Sequence, residues 1–218
     1  MIGIYGGTFN PVHYGHLRTA LEVREIFNLA QLKLIPCRLP PHRNEPEVSA
    51  ALRLEMLRLA IDSVSGLQTD SRELEREGPS YTLDTLRDLR QELGSSLPLL
   101  LFVGADAFAG LERWHQWQQL FDFTHIVVMT RPGFSVPQLT DFFRQRLVSE
   151  QAALASSPAG CLFFQAVTLL DISATQIRNI IAAGRNPQFL LPDASLELIR
   201  QHQLYRAAPI NDRIMNGK

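Results

Sequence analysis

Lysine and cysteine are nearly missing from this chain, and each shortage excludes functions before any motif is read. Lys33 and Lys218 are its only lysines, so the remaining cations are arginines scattered over the whole length. Lys+Arg amounts to 21 against Asp+Glu at 22, which leaves no net field of either sign to gather a polyanion or an anionic bilayer. Nucleic-acid and membrane partners are therefore not expected. The two cysteines, Cys37 and Cys161, belong to no paired motif, which argues against a disulfide framework and a structural zinc and suits a reducing compartment. They read as inert buried thiols. The N-terminus lacks a basic stretch followed by an apolar one, and the longest apolar run, LPLLLFVGADAFAGL, is broken by Asp106. A soluble, cytoplasmic protein is expected.

What is present is an alternation of short apolar runs with amphipathic ones. At 218 residues and 45% apolar content, one domain spanning 1–218 can bury its own core. The alternation predicts an α/β fold, a Rossmann-like doubly wound parallel sheet with flanking helices and a small C-terminal helical part over about 171–206. Strands are expected at IGIY (2–5), LKLIP (32–36), PLLLFVG (98–104), HIVVMT (125–130) and CLFFQ (161–165). The helical period predicts a helix over 16–29, with Leu17, Ala20, Leu21, Val23 and Ile26 toward the sheet. A second over 49–63 would turn Leu52, Met56, Leu59 and Ala60 inward. A third over 82–93 carries Leu83, Leu86, Leu89 and Leu93, with Thr82 placed to cap its start and Gly94 to end it. Residues 131–160 read as a turn-rich entry, RPGFSVPQL, into one further helix.

The stretch GGTFNPVHYGH, residues 6–16, falls between the first strand and the first helix, where an open α/β sheet places its ligand. Gly6 and Gly7 allow close backbone approach to a phosphate. Gly15 would let the chain bend so that His13 and His16 converge at a helix start, which itself favours anions. Neither a P-loop nor a G-x-G-x-x-G fingerprint is present, so any phosphate contact falls to histidines. The same residues also suit a plain strand-to-helix connection. Zinc fits poorly, because no third ligand accompanies the pair and Gly15 makes the segment a loop. A second stretch, LLDISATQIRNIIAAGR at 169–185, starts a helix: Ser173 is its N-cap with Gln176 three residues on. The cap leaves Thr175 and Arg178 unexplained. A hydroxyl, a guanidinium and a helix N-terminus on one turn form an oligophosphate clamp. Together the two stretches predict one nucleoside triphosphate held between two helix N-termini.

These two stretches resemble the signatures of the nucleotidyltransferase superfamily with an H-x-G-H motif, and most closely its nicotinate-nucleotide adenylyltransferases. The blocks LPPHR, GPSYTLDTL (78–86), FVGADAF (102–108), LERWHQW (111–117) and MTRPGF (129–134) follow in family order, so the likeness covers nearly the whole chain. Asn10 stands where the family usually has Asp, and Ala174 where a second Ser is common. The resemblance implies adenylyl transfer from ATP to nicotinate mononucleotide, without a covalent intermediate, with Mg2+ carried mainly by the ATP phosphates. It implies His13, His16 and Arg178 as catalytic groups, and Gly7, Thr8, Phe9, Gly104, Asp106, Ser173 and Thr175 with them as ATP contacts. Arg43, Tyr81, Thr82, Asp106, Trp114 and Arg131 would hold the mononucleotide, with Trp114 on the pyridine ring and backbone N–H groups around 82–85 on its carboxylate. No protein-only metal site is implied, and a homo-oligomer is compatible with the sequence. Three other readings are weaker. A phosphopantetheine adenylyltransferase would lack the GPSYT and LERWHQW blocks, a class I aminoacyl-tRNA synthetase fragment would need a lysine-rich loop, and a nonenzymatic nucleotide sensor would not need all four phosphate-binding side chains.

Overall fold

The aliphatic runs that read as strands are buried on both sides, as a parallel sheet between two helix layers requires. The protein is described by a computed structural model over residues 1–40 and 46–206. Its strands are β1 (Ile2–Gly7), β2 (Gln31–Pro36), β3 (Leu67–Thr69), β4 (Leu99–Gly104), β5 (His125–Thr130) and β6 (Leu162–Ala166). They form one six-stranded sheet in the order β3-β2-β1-β4-β5-β6, every pairing parallel. This is the expected Rossmann-like arrangement. The strand order reverses between β1 and β4, which leaves a crevice at their carboxyl ends.

The helices are α1 (Tyr14–Ile26), α2 (Ala50–Ile61), α3 (Arg72–Glu75), α4 (Thr82–Leu93), α5 (Ala105–Ala109), α6 (Leu120–Phe123), α7 (Asp141–Arg144), α8 (Ala174–Ala182) and α9 (Asp193–Gln201). Strand periodicity splits the core in two. Leu100, Phe102, Val127 and Met129 meet Val23 and Phe27 of the α1 side and Ile177 of α8, whereas Leu101, Val103, Ile126 and Val128 meet Leu83, Leu86 and Leu89 of α4. Leu86 is fully buried, so truncating it to alanine would cost about 2–5 kcal/mol. The C-terminal helices pack on the first of these cores, and the Ser195 hydroxyl of α9 donates to the Met56 carbonyl of α2 at 3.0 Å.

Several local expectations are corrected. Helix α1 starts at Tyr14 rather than at residue 16 and ends at Ile26, before Asn28 turns left-handed at φ 45°. On α2, Leu59 is exposed and Arg53 is buried, because the helix also packs on α9 and not on the sheet alone. Strand β3 escaped the sequence reading, being three residues at the sheet edge with no alternation to show. The helix expected within 131–160 is reduced to α7 and a 3-10 turn over Gln151–Ala155. Between them the chain extends to pair with β6: Leu162 N–H donates to the Arg146 carbonyl at 2.7 Å, and Val148 N–H to the Leu162 carbonyl at 3.0 Å.

Candidate active site

Strand β1 delivers the chain to the crevice at Gly7, and residues 8–13 must return it to α1. The buried Arg53 guanidinium holds this loop, donating to the Thr8 carbonyl at 2.6 Å, to Val48 at 3.2 Å and to Arg38 at 3.3 Å. Phe9 has a positive φ of 47° and a buried ring. That ring stands edge-on to His16, with centroids 5.1 Å apart, and a Cβ at Gly7 would lie 3.1 Å from it. The Phe9 ring is thus a wedge beneath His16, and Gly7 makes room for that wedge.

His13 is the N-cap residue of α1 and His16 lies within its first turn. Their rings stack with centroids 3.7 Å apart and planes inclined by 28°. Gly15 is helical and not a hinge, which corrects the loop reading; a Cβ there would lie 2.9 Å from His13 Nδ1 and 3.3 Å from the Ile172 carbonyl. The close meeting of α1 with the segment before α8 thus requires glycine. Burial lowers the His13 pKa to about 4 and the His16 pKa to about 3, the latter further lowered by its neighbour His13. Both rings are neutral near pH 7. Their buried Nδ1 atoms have no hydrogen-bond partner among the described residues. His125, fully buried, is the contrast: its Nδ1 accepts from Cys161 N–H at 3.1 Å and its Nε2 faces the Ser157 carbonyl at 2.8 Å. His125 is satisfied by the fold; the pair is not.

Helix α8 completes this corner. Ser173 caps it as expected, its hydroxyl accepting from Gln176 N–H at 3.1 Å. Arg178 crosses to the opening loop, donating from Nη1 to the Asn10 carbonyl at 2.8 Å and from Nη2 to Thr175 Oγ1 at 3.3 Å. The two signature stretches therefore meet at Asn10. They do not contribute equally, however. In α1 the Tyr14 amide donates to Leu190 and those of His16 and Leu17 to His13, whereas the Ala174 and Thr175 amides of α8 have no acceptor among the described residues. The free helix dipole for an anion is mainly that of α8.

Beside this corner, between the carboxyl ends of β1 and β4, lies a cavity of about 630 Å³. Gly7, Thr8, Tyr81, Thr82, Gly104, Asp106 and Trp114 all line it. Trp114 is half-buried on the α4 core, and Tyr81 stacks on His115 with centroids 4.4 Å apart. Thr82 does not cap α4: Tyr81 occupies the cap position, and the Asp84 and Thr85 amides both donate to the Tyr81 carbonyl. The amides of Thr82 and Leu83, which have no acceptor among the described residues, are left as the first-turn donors. Asp106 is exposed in α5, whose cap is Gly104, so this carboxylate does not cap the helix.

His13, His16, Thr175 and Arg178 flank the cavity instead of lining it. Arg131 is exposed in the turn after β5 and does not line it either. Arg43 lies outside the described residues. Sequence reasoning missed Glu73 and Thr85, which line the cavity with Cys37. The Thr85 hydroxyl donates to buried Glu73 Oε1 at 2.7 Å, and burial pushes the Glu73 pKa upward. No motif marks Glu73; only the approach of α3 to α4 brings it there. Arg53 was missed for a similar reason, since an arginine on a helix reads as solvated. Cys37 and Cys161 are only partly buried, so the buried-thiol reading is also revised.

Residues 4–180 match the family model described as cytidylyltransferase-like. A probable nicotinate-nucleotide adenylyltransferase of Methylococcus capsulatus is 49% identical over 209 residues, covering 94% of this chain and 99% of that protein. Its counterpart in Pseudomonas putida strain W619 is 50% identical over 209 residues, covering 94% and 95%. Among solved structures, the nicotinic acid mononucleotide adenylyltransferase of Plasmodium falciparum complexed with NaAD superposes with a TM-score of 0.70 over 94% of this chain and 96% of that one. At 16% identity, that likeness concerns the fold.

Proposed function

This chain belongs to the cytidylyltransferase-like family and, within it, to the nicotinate-nucleotide adenylyltransferases, and from that premise we infer that it transfers the adenylyl group of ATP to nicotinate mononucleotide, releasing pyrophosphate and nicotinate adenine dinucleotide. The observation that supports this reading best is the juxtaposition of two unlike surfaces. A corner of unsatisfied imidazoles and free α8 amides abuts an aromatic-walled cavity of about 630 Å³ at the strand-order reversal.

A phosphate oxygen of the mononucleotide attacks the α-phosphorus of ATP; that P–O bond forms while the bond to the β-phosphate bridging oxygen breaks, and its electron pair leaves with pyrophosphate. The enzyme needs alignment and fixed donors, not a nucleophile. His16 donates to an α-phosphate oxygen as charge builds there. Because both rings are neutral, each holds its proton through the step and works as a dipole rather than an acid. His13, Thr175, Arg178 and the α8 amides take the remaining phosphates. Gly104 and Asp106 border the nucleoside, while Tyr81, Thr82 and Trp114 hold the pyridine nucleotide. Magnesium, brought on the triphosphate, would supply charge neutralisation for the leaving pyrophosphate. The donor set suits that mode, since Asp106 is an exposed carboxylate at the rim, open to an ion that arrives with the triphosphate. We place the reaction in the cytoplasm, where the free thiols of Cys37 and Cys161 stay reduced.

Discrimination follows from the same wall. A carboxylate only accepts hydrogen bonds, so the Thr82 and Leu83 amides suit nicotinate and leave the NH₂ of nicotinamide unmatched. Purified protein incubated with ATP, magnesium and either mononucleotide should make the dinucleotide from both, with the nicotinate form preferred by about a hundredfold in kcat/KM, or about 2.7 kcal/mol. No product from nicotinate mononucleotide refutes the function. Equal efficiency refutes the selectivity alone.

A further inference from the structure

Asn10 is the meeting point of three distant parts of the chain. Its carbonyl accepts from Arg178 Nη1 at 2.8 Å, and its side-chain Oδ1 accepts the Tyr205 hydroxyl at 2.6 Å, across 195 residues of sequence. Tyr205 is 8% exposed and holds a φ of 61°, a left-handed backbone that a bulky residue adopts only when its surroundings enforce it. Those surroundings are rigid. Helix α9, just before it, is docked on α2 through Ser195, and the Leu204 amide closes the turn onto the Ile199 carbonyl at 3.0 Å. Burial raises the Tyr205 pKa, so the phenol keeps its proton and acts as a donor. With its side chain clamped, the Asn10 peptide has one orientation, and its carbonyl aims the Arg178 fork along the corner.

We propose that Tyr205 is a positioning residue for ATP: by gripping Asn10 it fixes the carbonyl that orients Arg178 toward the triphosphate. This rests on the adenylyl-transfer reading. A phenol can donate to the side-chain oxygen of an asparagine or an aspartate alike, so the grip does not depend on which of the two stands at position 10.

The test varies each substrate in steady-state kinetics of Y205F, N10A, N10D and Y205F/N10A, with calorimetric titration of a non-hydrolysable ATP analogue beside it. Y205F and N10A should each raise the ATP KM and the analogue Kd three- to tenfold, leaving the KM for nicotinate mononucleotide within twofold, as one lost hydrogen bond at the ATP side would. N10D should stay within twofold of wild type, and the double variant should be no worse than either single one, because both cut the same link. A merely structural tyrosine would lower the melting temperature without splitting the two KM values. Wild-type ATP binding in Y205F, equal rises for both substrates, or additivity in the double variant would overturn the proposal. A wild-type enzyme that makes no dinucleotide refutes the function instead, and the calorimetry still decides the latch.

Discussion

The phosphate corner and the aromatic cavity share the carboxyl end of β1 but are built on opposite principles. In the corner, every group the reaction would use is held from behind: Phe9 wedges His16, His13 stacks on it, and Asn10 anchors Arg178. The Nδ1 atoms of its two histidines are left unpaired in a buried setting among the described residues, a cost that folding alone does not explain. The cavity is the reverse. Its wall joins buried aliphatic side chains to the half-buried or exposed aromatics Trp114, Tyr81 and His115, and some of its polar groups pair within the wall, Thr85 with Glu73 and Cys37 with Thr8. On the proposed reaction the corner would serve a step common to all adenylyl transfers and would need fixed donors, whereas the cavity would admit, read and release one particular base.

The largest effect that can break this contrast is at the corner. His16→Ala should fold, bind mononucleotide normally and lose a hundredfold or more in kcat, since a fixed donor to a developing oxyanion is worth about 3–4 kcal/mol. Single-turnover rates measure it, and a near-normal rate would mean that the corner binds without catalysing. A smaller effect sharpens the other side. Trp114→Ala should raise the KM for nicotinate mononucleotide about tenfold, which is about 1.4 kcal/mol, and leave that for ATP unchanged. Parallel rises in both would merge the two regions into one binding surface.

A further contrast lies in the pH dependence of stability, whose sign differs between the regions. His13 and His16 have folded-state pKa values of about 4 and about 3, below the 6.5 of a free histidine. Between those values the unfolded chain binds more protons, so the contribution of the pair is complete above pH 6.5 and is lost as the pH falls toward 4 and then 3. Glu73, whose pKa is raised by burial, runs the other way: its contribution is complete below the ordinary carboxylate range and declines as the pH rises through its folded value. Melting curves between pH 7 and 4 should show a flatter acid slope for the His13→Gln/His16→Gln variant than for wild type. A slope unchanged by that double substitution would show that the pair is not neutralised by burial.

Much of the fold was legible because short-range spacing encodes it. The runs at 125–130 and 82–93 became β5 and α4 with the bounds expected, and Ser173 caps α8 as its spacing from Gln176 predicts. Where legibility failed, the cause was packing. Arg53 is inside because three backbone carbonyls surround it, Leu59 is outside because α2 leans on α9, and the segment after Arg144 leaves the helix because the edge of β6 offers a pairing partner. The site divides in the same way. As candidates, the histidines, Thr175 and Arg178 could be read from the residues themselves and Trp114 from the family resemblance, whereas Glu73 and Tyr205 carried no signal.

The sequence by itself determined the α/β alternation, the caps of α8, the family and the types of chemical group available. Those depend on residues a few positions apart, where periodicity and local hydrogen bonding act. Tertiary structure decided what the groups are: which imidazoles are neutral, which glycine makes room for a ring, which carbonyl aims Arg178, and that a tyrosine 195 residues away holds it. These properties arise from desolvation and from contacts between distant segments, and both exist only once the sheet order has closed the chain upon itself.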